Sequence, residues 1–591
     1  MEAPEQLVGH RQYVMDRTFE RPFSVVGLVN RDLDWTCMQH LFWCFQRHER
    51  NRLSALRQQT NQEEGEEEQQ QQLTHPSSSS SWQDVVVVVP AKEELILQYN
   101  RLGVRGTTAL SQLVLRGNLS WLHKLELSND AVGDEGAQAI AQALQDPARG
   151  CHLTHLTLSS TSIGNRGATH LAHALPHCPQ LIYLNLQHNT IGNDGFEALG
   201  NALFVLPSRA SNDTATSTLD LVLADNQISQ LEGFVEAALR YQGDSSSLHH
   251  RLKSLDLSSN LLREGRVTDD DDDYGGGGFN RMDNDNDEES SELLRLGVAL
   301  QRITSLEVLR LAGNVLGPRV AGLRCGRERL SQPLEKNHSL VQLDLSFCCI
   351  GDEGCQELRH ALCDNNSTYT ALSILNLHCN QIGPVGCQAL AKLLLHPPPP
   401  SSSSNNNNSR SPPPPLKRLD LTRNLVGDQG MVILADALGT NQTLIHLNVN
   451  RNGIGNRGTN ALMDSFCCCR HNTNPSSLRT IHLSKNKIGL ESGEAWCRVL
   501  RQKARSVFIL TLSDNNPPLP KDLLTRLDFY LHLNRLKFWR LLGGDGNNEY
   551  HLAESIWPQV LSVFLADPIN NNSILLNMGY LSILSKPEWF S

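Results

Sequence analysis

Leu181-Ile182-Tyr183-Leu184-Asn185-Leu186-Gln187-His188-Asn189-Thr190-Ile191-Gly192 is the stretch that decides the fold. Its order, Leu-x-x-Leu-x-Leu-x-x-Asn-x-Ile/Leu-Gly, returns almost unchanged from Leu372 to Gly383. With substitutions it occurs thirteen times between about residues 92 and 520. Aligned on the Asn, the copies place Asn100, Asp130, Thr161, Asn189, Asn226, Asn260, Asn314, Cys348, Asn380, Asn424, Asn452, Asn486 and Asn515 in one column. The intervals are 30, 31, 28, 37, 34, 54, 34, 32, 44, 28, 34 and 29 residues. A unit this short cannot bury its own apolar face, so it has to stack on its neighbours, and the array is the folding unit.

Each copy has a definite anatomy. Leu-x-Leu alternation predicts a short strand with leucines inward and the residues between them on an open face. The Asn side chain can bond turn backbone and join one coil to the next as a polar ladder. Gly-x-x-Gly follows, as in Gly133-Asp-Glu-Gly136, Gly351-Asp-Glu-Gly354 and Gly427-Asp-Gln-Gly430. Its glycines permit a sharp strand-to-helix turn, and its acids suit a helix N-terminus. Helical spacing comes next: Ala137, Ile140, Ala141, Leu144, and likewise Met431, Leu434, Ala435, Leu438. The expected fold is an α/β right-handed solenoid, a horseshoe with a parallel β-sheet on its concave face, helices on its convex face, and helical N- and C-terminal caps.

These copies resemble the ribonuclease-inhibitor class of leucine-rich repeats, also found in Ran GTPase-activating proteins and in the sensor ends of innate immune receptors. The resemblance implies a binding platform and no particular chemistry. Near the C-terminus, Phe529-Tyr-Leu-His-Leu-Asn-Arg535 and Trp557-Pro-Gln-Val-Leu561 are similar to a cap of algal leucine-rich-repeat proteins. Leu536-Lys-Phe-Trp539 departs from that pattern, and Arg540-Leu541-Leu542 keeps it.

Residues 1–60 carry an aromatic-rich stretch, Asp34 to Phe45, and are expected to form an N-terminal helical cap over the first open coil. Residues 61–81, rich in Glu, Gln and Ser, read as a disordered linker, and Val85–Val89 as the strand of a degenerate first coil. The array of about thirteen repeats is assigned to 82–516, with disordered insertions near 265–291 and 397–415 that account for the longest intervals. Residues 517–591 read as a C-terminal helical cap whose first helix, Leu519 to Leu542, has an apolar face of Leu523, Leu527, Tyr530, Leu531, Leu533 and Trp539.

The formal net charge is −11. Setting aside five glutamates between 63 and 68, and the ten acids between 269 and 289 with Arg266 and Arg281, leaves about +2. A nearly neutral body argues against a nucleic-acid partner. The start lacks the pattern of a secretory signal, no apolar run is long enough to span a bilayer, and no membrane partner is expected. Fifteen cysteines, several at small apolar core positions, read as reduced thiols of a cytoplasmic or nuclear protein.

No phosphate-binding Gly-x-x-x-x-Gly-Lys-Ser/Thr loop and no Cys-x-x-Cys pair is present, and Cys467-Cys468-Cys469 lacks metal-ligand spacing. His155, His170, His173, His177 and His188 have no recognisable nucleophile or carboxylate partner. The expected function is a non-enzymatic scaffold, without cofactor or metal, that holds a protein partner on the concave face. The alternatives are a small-GTPase regulator resembling Ran GTPase-activating protein and a cytoskeleton-associated capping protein.

The column one residue before the ladder is where the copies depart most from one another. It holds Tyr99, Asn129, Ser160, His188 and Asp225 early on, then Arg423, Arg451 and Lys485 in three consecutive copies. Neighbouring strands lie about 5 Å apart, so these cations form a stripe on one rim. Arg418, His446 and His482 on the nearby strands complete the candidate binding residues, and the expected partner segment is acidic. The plain alternative is a solvated charged face, since exposed charges often contribute little.

Overall fold

A computed structural model describes residues 25–28, 94–112, 122–146, 152–204, 218–240, 251–262, 303–317, 339–363, 372–395, 416–466 and 477–535, together with Leu33, Leu41, Cys44 and Arg47. Every one of the thirteen copies supplies a strand. They are β2 (Glu94–Ile96), β3 (Lys124–Glu126), β4 (His155–Thr157), β5 (Tyr183–Asn185), β6 (Leu219–Val222), β7 (Leu252–Asp256), β8 (Val308–Arg310), β9 (Gln342–Asp344), β10 (Ile374–Asn376), β11 (Arg418–Asp420), β12 (His446–Asn448), β13 (Thr480–His482) and β14 (Ile509–Thr511).

Helices follow most of the strands. They are α1 (Gly103–Leu110), α2 (Gly133–Leu144), α3 (Asn165–Ala174), α4 (Asn193–Phe204), α5 (Glu232–Arg240), α6 (Gly351–Cys363), α7 (Pro384–Leu394), α8 (Gly427–Leu438), α9 (Asn456–Ser465), α10 (Leu490–Gln502) and α11 (Lys521–Arg535).

The chain divides into two compact units, Met1–Asn314 and Val315–Ser591. In each, successive strands pair in parallel, from β2 to β8 in the first and from β9 to β14 in the second. Their helices pack on sequence neighbours as a second layer. The α/β leucine-rich-repeat arrangement expected from the period is therefore the fold of each unit.

The core lies between the two layers. Strand leucines such as Leu184, Leu186, Leu447 and Leu483 are sealed from solvent, and the helices contribute Ala137, Ile140, Met431 and Leu434. In the first unit Phe196 stacks on Phe234 at 4.4 Å between centroids, and in the second the buried Trp496 meets Phe466 edge-on at 6.1 Å. Cys348, Cys355 and Cys387 are buried free thiols in this core, as their repeat positions require.

All thirteen ladder side chains are buried. Asn486 shows what they do. Its Oδ1 accepts from the N–H groups of Asn452 and Ile454 in the preceding coil, at 2.8 and 3.2 Å. Its Nδ2 donates to the carbonyls of Val449 in that coil and Leu483 in its own, at 3.0 and 2.9 Å. Only a side chain that both donates and accepts can satisfy four backbone groups buried between coils, which is the physical reason for the Asn.

One expectation is revised. The strand ahead of the first copy is β1 (Val25–Gly27), paired with β2 in register Val25 to Glu94. It lies inside the stretch assigned to a helical cap, although Leu41, Cys44 and Arg47 are helical. The array therefore begins before residue 82, and Asn100 Nδ2 donates to Leu28 O while its Oδ1 accepts from Leu33 N. Val85–Val89, the linker at 61–81, both insertions and residues 536–591 fall outside the described residues.

The acids of Gly-x-x-Gly stand in the first turns of α2, α6 and α8, as expected, and in addition cap the helix of the following coil. Asp134 Oδ1 accepts from Gly164 and Gly167 N–H at 2.7 and 2.9 Å, Asp352 from Gly383 and Gly386 at 2.7 and 2.8 Å, and Asp428 from Gly455 and Gly458 at 2.7 and 2.8 Å. Asn165 and Asn456 do the same for Gly192 and Gly489, both at 2.7 Å. The N-cap residues of α3, α7, α9 and α10 are glycines without a side chain to cap with, so the preceding coil supplies the missing acceptor.

Candidate functional site

The backbone that carries the stripe is unusual in every coil. The residue before the ladder has a positive φ in all thirteen, from 53° at Ser259 to 72° at Gly313. Arg423, Arg451 and Lys485 sit there at 56°, 54° and 59°. This left-handed conformation is costly for any residue with a Cβ, so something must enforce it. The N–H of each residue donates to the next coil: Arg423 to Asn450 O at 2.9 Å, Arg451 to Ser484 O at 3.0 Å, and Lys485 to Ser513 O at 2.9 Å. That geometry locks the three in adjacent coils and leaves their side chains exposed.

The six candidate residues separate into groups. Arg423, Arg451 and Lys485 form the loop stripe, and Lys485 Nζ lies 3.8 Å from Asp514, the next residue in the column. Arg418 and His446 are register partners at the starts of β11 and β12. His482 belongs to a different column, aligned with Asn448 and Thr511, and its Nδ1 lies 3.1 Å from Thr511 Oγ1.

Burial pushes both His446 and His482 below the ordinary histidine range. Arg418 and His482 add to this for His446; for His482, Asp420 opposes the shift and Arg418 reinforces it. Both imidazoles are neutral at pH 7, so the positive charge comes from the arginines and Lys485.

Acids stand farther inward, four residues before the ladder. Asn376 Nδ2 donates to Asp344 Oδ2 and Asn448 Nδ2 to Asp420 Oδ2, both at 2.9 Å. Asp420 Oδ1 accepts from Thr422 N–H at 2.8 Å. His378 sits between the two lines of charge. Burial lowers its pKa first, Asp420 and Asp344 pull it up, and Arg423 and Arg451 push it down. Its ring lies 4.8 Å from that of Phe347, which is 49% exposed, and Leu425 beside the stripe is 65% exposed. Charge along the column does not point to Phe347 or His378; the signal in the sequence is the apolar ring of Phe347 in a column of mostly polar residues.

Among the described residues no group of His, Cys, Asp and Glu could hold a metal ion, and no helix is long and apolar enough to cross a membrane. The face offers exposed cations, hydrogen-bonded carboxylates and apolar groups, which are the materials of recognition.

Comparison with known proteins identifies the repeats. The Leucine Rich repeat family profile matches residues 118–141, 151–172, 177–200, 336–358, 370–391, 413–435, 440–463 and 474–495. The ribonuclease inhibitor of Sus scrofa is 29% identical over 353 residues, which are 54% of this chain and 68% of that protein. The chain is a leucine-rich-repeat protein of the ribonuclease-inhibitor-like class. The same leucine-rich-repeat chain is 27% identical over 393 residues to NACHT, LRR and PYD domains-containing protein 14 of Mus musculus, covering 66% of itself but only 32% of that relative. Among solved structures, an internalin from Listeria monocytogenes aligns with 74% of this chain and 85% of its own, at 16% identity and a TM-score of 0.37.

Proposed function

We propose that the chain is a non-enzymatic scaffold that holds an acidic protein segment on the concave face of its repeats, at the rim formed by coils ten to twelve. The observation that carries this reading is the exposed Arg423–Arg451–Lys485 column, held in consecutive coils by backbone bonds. The similarity to ribonuclease inhibitor, a protein named for binding another protein, supports the general role. Asp344 and Asp420 add selectivity, because an acidic segment displaced from the rim onto the strands would meet like charge. Arg423 and Arg451 carry more of the attraction than Lys485, whose charge faces Asp514.

The left-handed backbone supplies a clean test. Glycine is at ease at these positions, so Arg423→Gly and Arg451→Gly remove the cations without straining the coil. A fluorescent Glu-rich peptide titrated into the full chain should bind with an affinity that falls steeply with salt. The double glycine variant should lose at least about tenfold, as the removal of two charged donors implies. Lys485→Gly should lose less, with the melting temperature nearly unchanged. Equal peptide affinity in the double variant would show the stripe to be a solvated face.

A further inference from the structure

The helix layer of the second unit holds a cavity of about 320 Å³ between α10 and α11, lined by Glu494, Cys497, Arg498, Arg501, Arg526 and Tyr530. Arg498 and Arg501 are three residues apart on α10 and share a face, and Arg526 comes from α11. Arg501 and Arg526 are half-buried, Arg498 is exposed, and Tyr530 is 7% exposed. Three guanidinium groups thus meet one carboxylate around a single cavity.

We propose that this cavity binds a phosphate monoester. Guanidinium groups present planar, paired donors that match phosphate oxygens, and three of them converge on this cavity. The Tyr530 hydroxyl, which burial keeps protonated, adds a neutral donor. The volume stands at the small end of ligand pockets, roughly 300–1,000 Å³, and suits a phosphate with a small substituent.

A cysteine beside arginines could be taken for a phosphate-cleaving nucleophile. Burial pushes the Cys497 thiol up to about 11, against a downward pull from Arg526 and with a further rise from Glu494. Attack requires the thiolate, the form that this burial disfavours. The site lies among the helices, and it stands or falls independently of the stripe.

The test is calorimetric titration of the full chain with inorganic phosphate, phenyl phosphate and a phosphoserine peptide, at constant ionic strength with chloride as control. Saturable one-to-one binding of inorganic phosphate is expected, absent with chloride. Arg501→Gln with Arg526→Gln should weaken it about a hundredfold, roughly tenfold for each guanidinium removed. Peptide binding tighter than inorganic phosphate assigns the ligand to a modified protein side chain, and the reverse order assigns it to a free phosphate ester. If circular dichroism shows the double variant misfolded, Arg498→Gln and Tyr530→Phe, each expected to weaken binding several-fold, replace it. No saturable binding to the native chain, or undiminished affinity in folded variants, overturns the proposal.

Discussion

Asp130 is the one ladder residue that is an acid, and it is 1% exposed. At the ten ladder positions that hold Asn an amide both donates and accepts, whereas a carboxylate only accepts. Only the backbone N–H groups of Leu102 and Asn100 face its carboxyl, and neither oxygen is in good hydrogen-bond geometry with them. Burial therefore pushes its pKa up to about 7, opposed only partly by the Leu102 and Asn100 N–H groups. An unfolded Asp releases its proton near pH 3.9. The folded protein thus holds a proton that the unfolded chain has lost, and stability falls as pH rises from about 4 through 7. Asp130→Asn restores the amide and removes the titration. The variant should unfold like the native chain at pH 4 and be more stable at pH 8 by about 2–4 kcal/mol, at most ~1.4 kcal/mol per pKa unit. Urea denaturation at the two pH values measures this; a gain that did not grow with pH would place the strain elsewhere.

At the scale of the element, α3, α4, α7, α9 and α10 each start on an acceptor lent by the coil before them. Asp428→Ala removes both bonds to the start of α9 and should cost about 1–2 kcal/mol, as loss of an N-cap does. Asp428→Asn should cost little, because Asn165 and Asn456 fill the same role in their coils. The close approach also explains the second glycine of the motif. A Cβ on Gly458 would lie 2.8 Å from Asp428 Oδ1 and 2.9 Å from Met431 Cβ. Gly458→Ala should therefore destabilise by about 1–3 kcal/mol, the range of overpacked sites. In Asp428→Ala part of that clash is gone, so the two losses should be less than additive by urea titration.

The sequence showed that an acid belongs at a helix start. It could not show which helix, since spacing along the chain does not say whether a side chain reaches forward one turn or across to the next coil. The ladder was legible because four buried backbone groups demand one residue type. β1 was not, because Val25 and its register partner Glu94 lie 69 residues apart, far outside the period. The stripe was legible as a column, but the left-handed backbone beneath it and the neutral histidines beside it depend on three-dimensional surroundings.

For the molecule as a whole, the important property is that packing is sequential. Strands pair with the next strand, and the substantial helix packing is between successive helices. An array of this kind distributes stability as local coil energies plus nearest-neighbour interfaces, so damage should stay near its origin. Asp428→Ala sits between coils ten and eleven of the second unit. Amide hydrogen exchange on the full chain should quicken across residues 416–466 and spread to adjoining coils at 372–395 and 477–502 in decreasing measure. Residues 122–204 in the first unit should exchange as in the native chain. The affinity for a Glu-rich peptide should fall as well, because Arg423 and Arg451 hold their spacing through backbone bonds to the coils that this cap secures. Local loosening of those coils lowers the population of the aligned stripe, and apparent affinity falls with that population. Uniform acceleration of exchange throughout both units would instead mean that the array opens as one cooperative body, and the neighbour-by-neighbour account would fail.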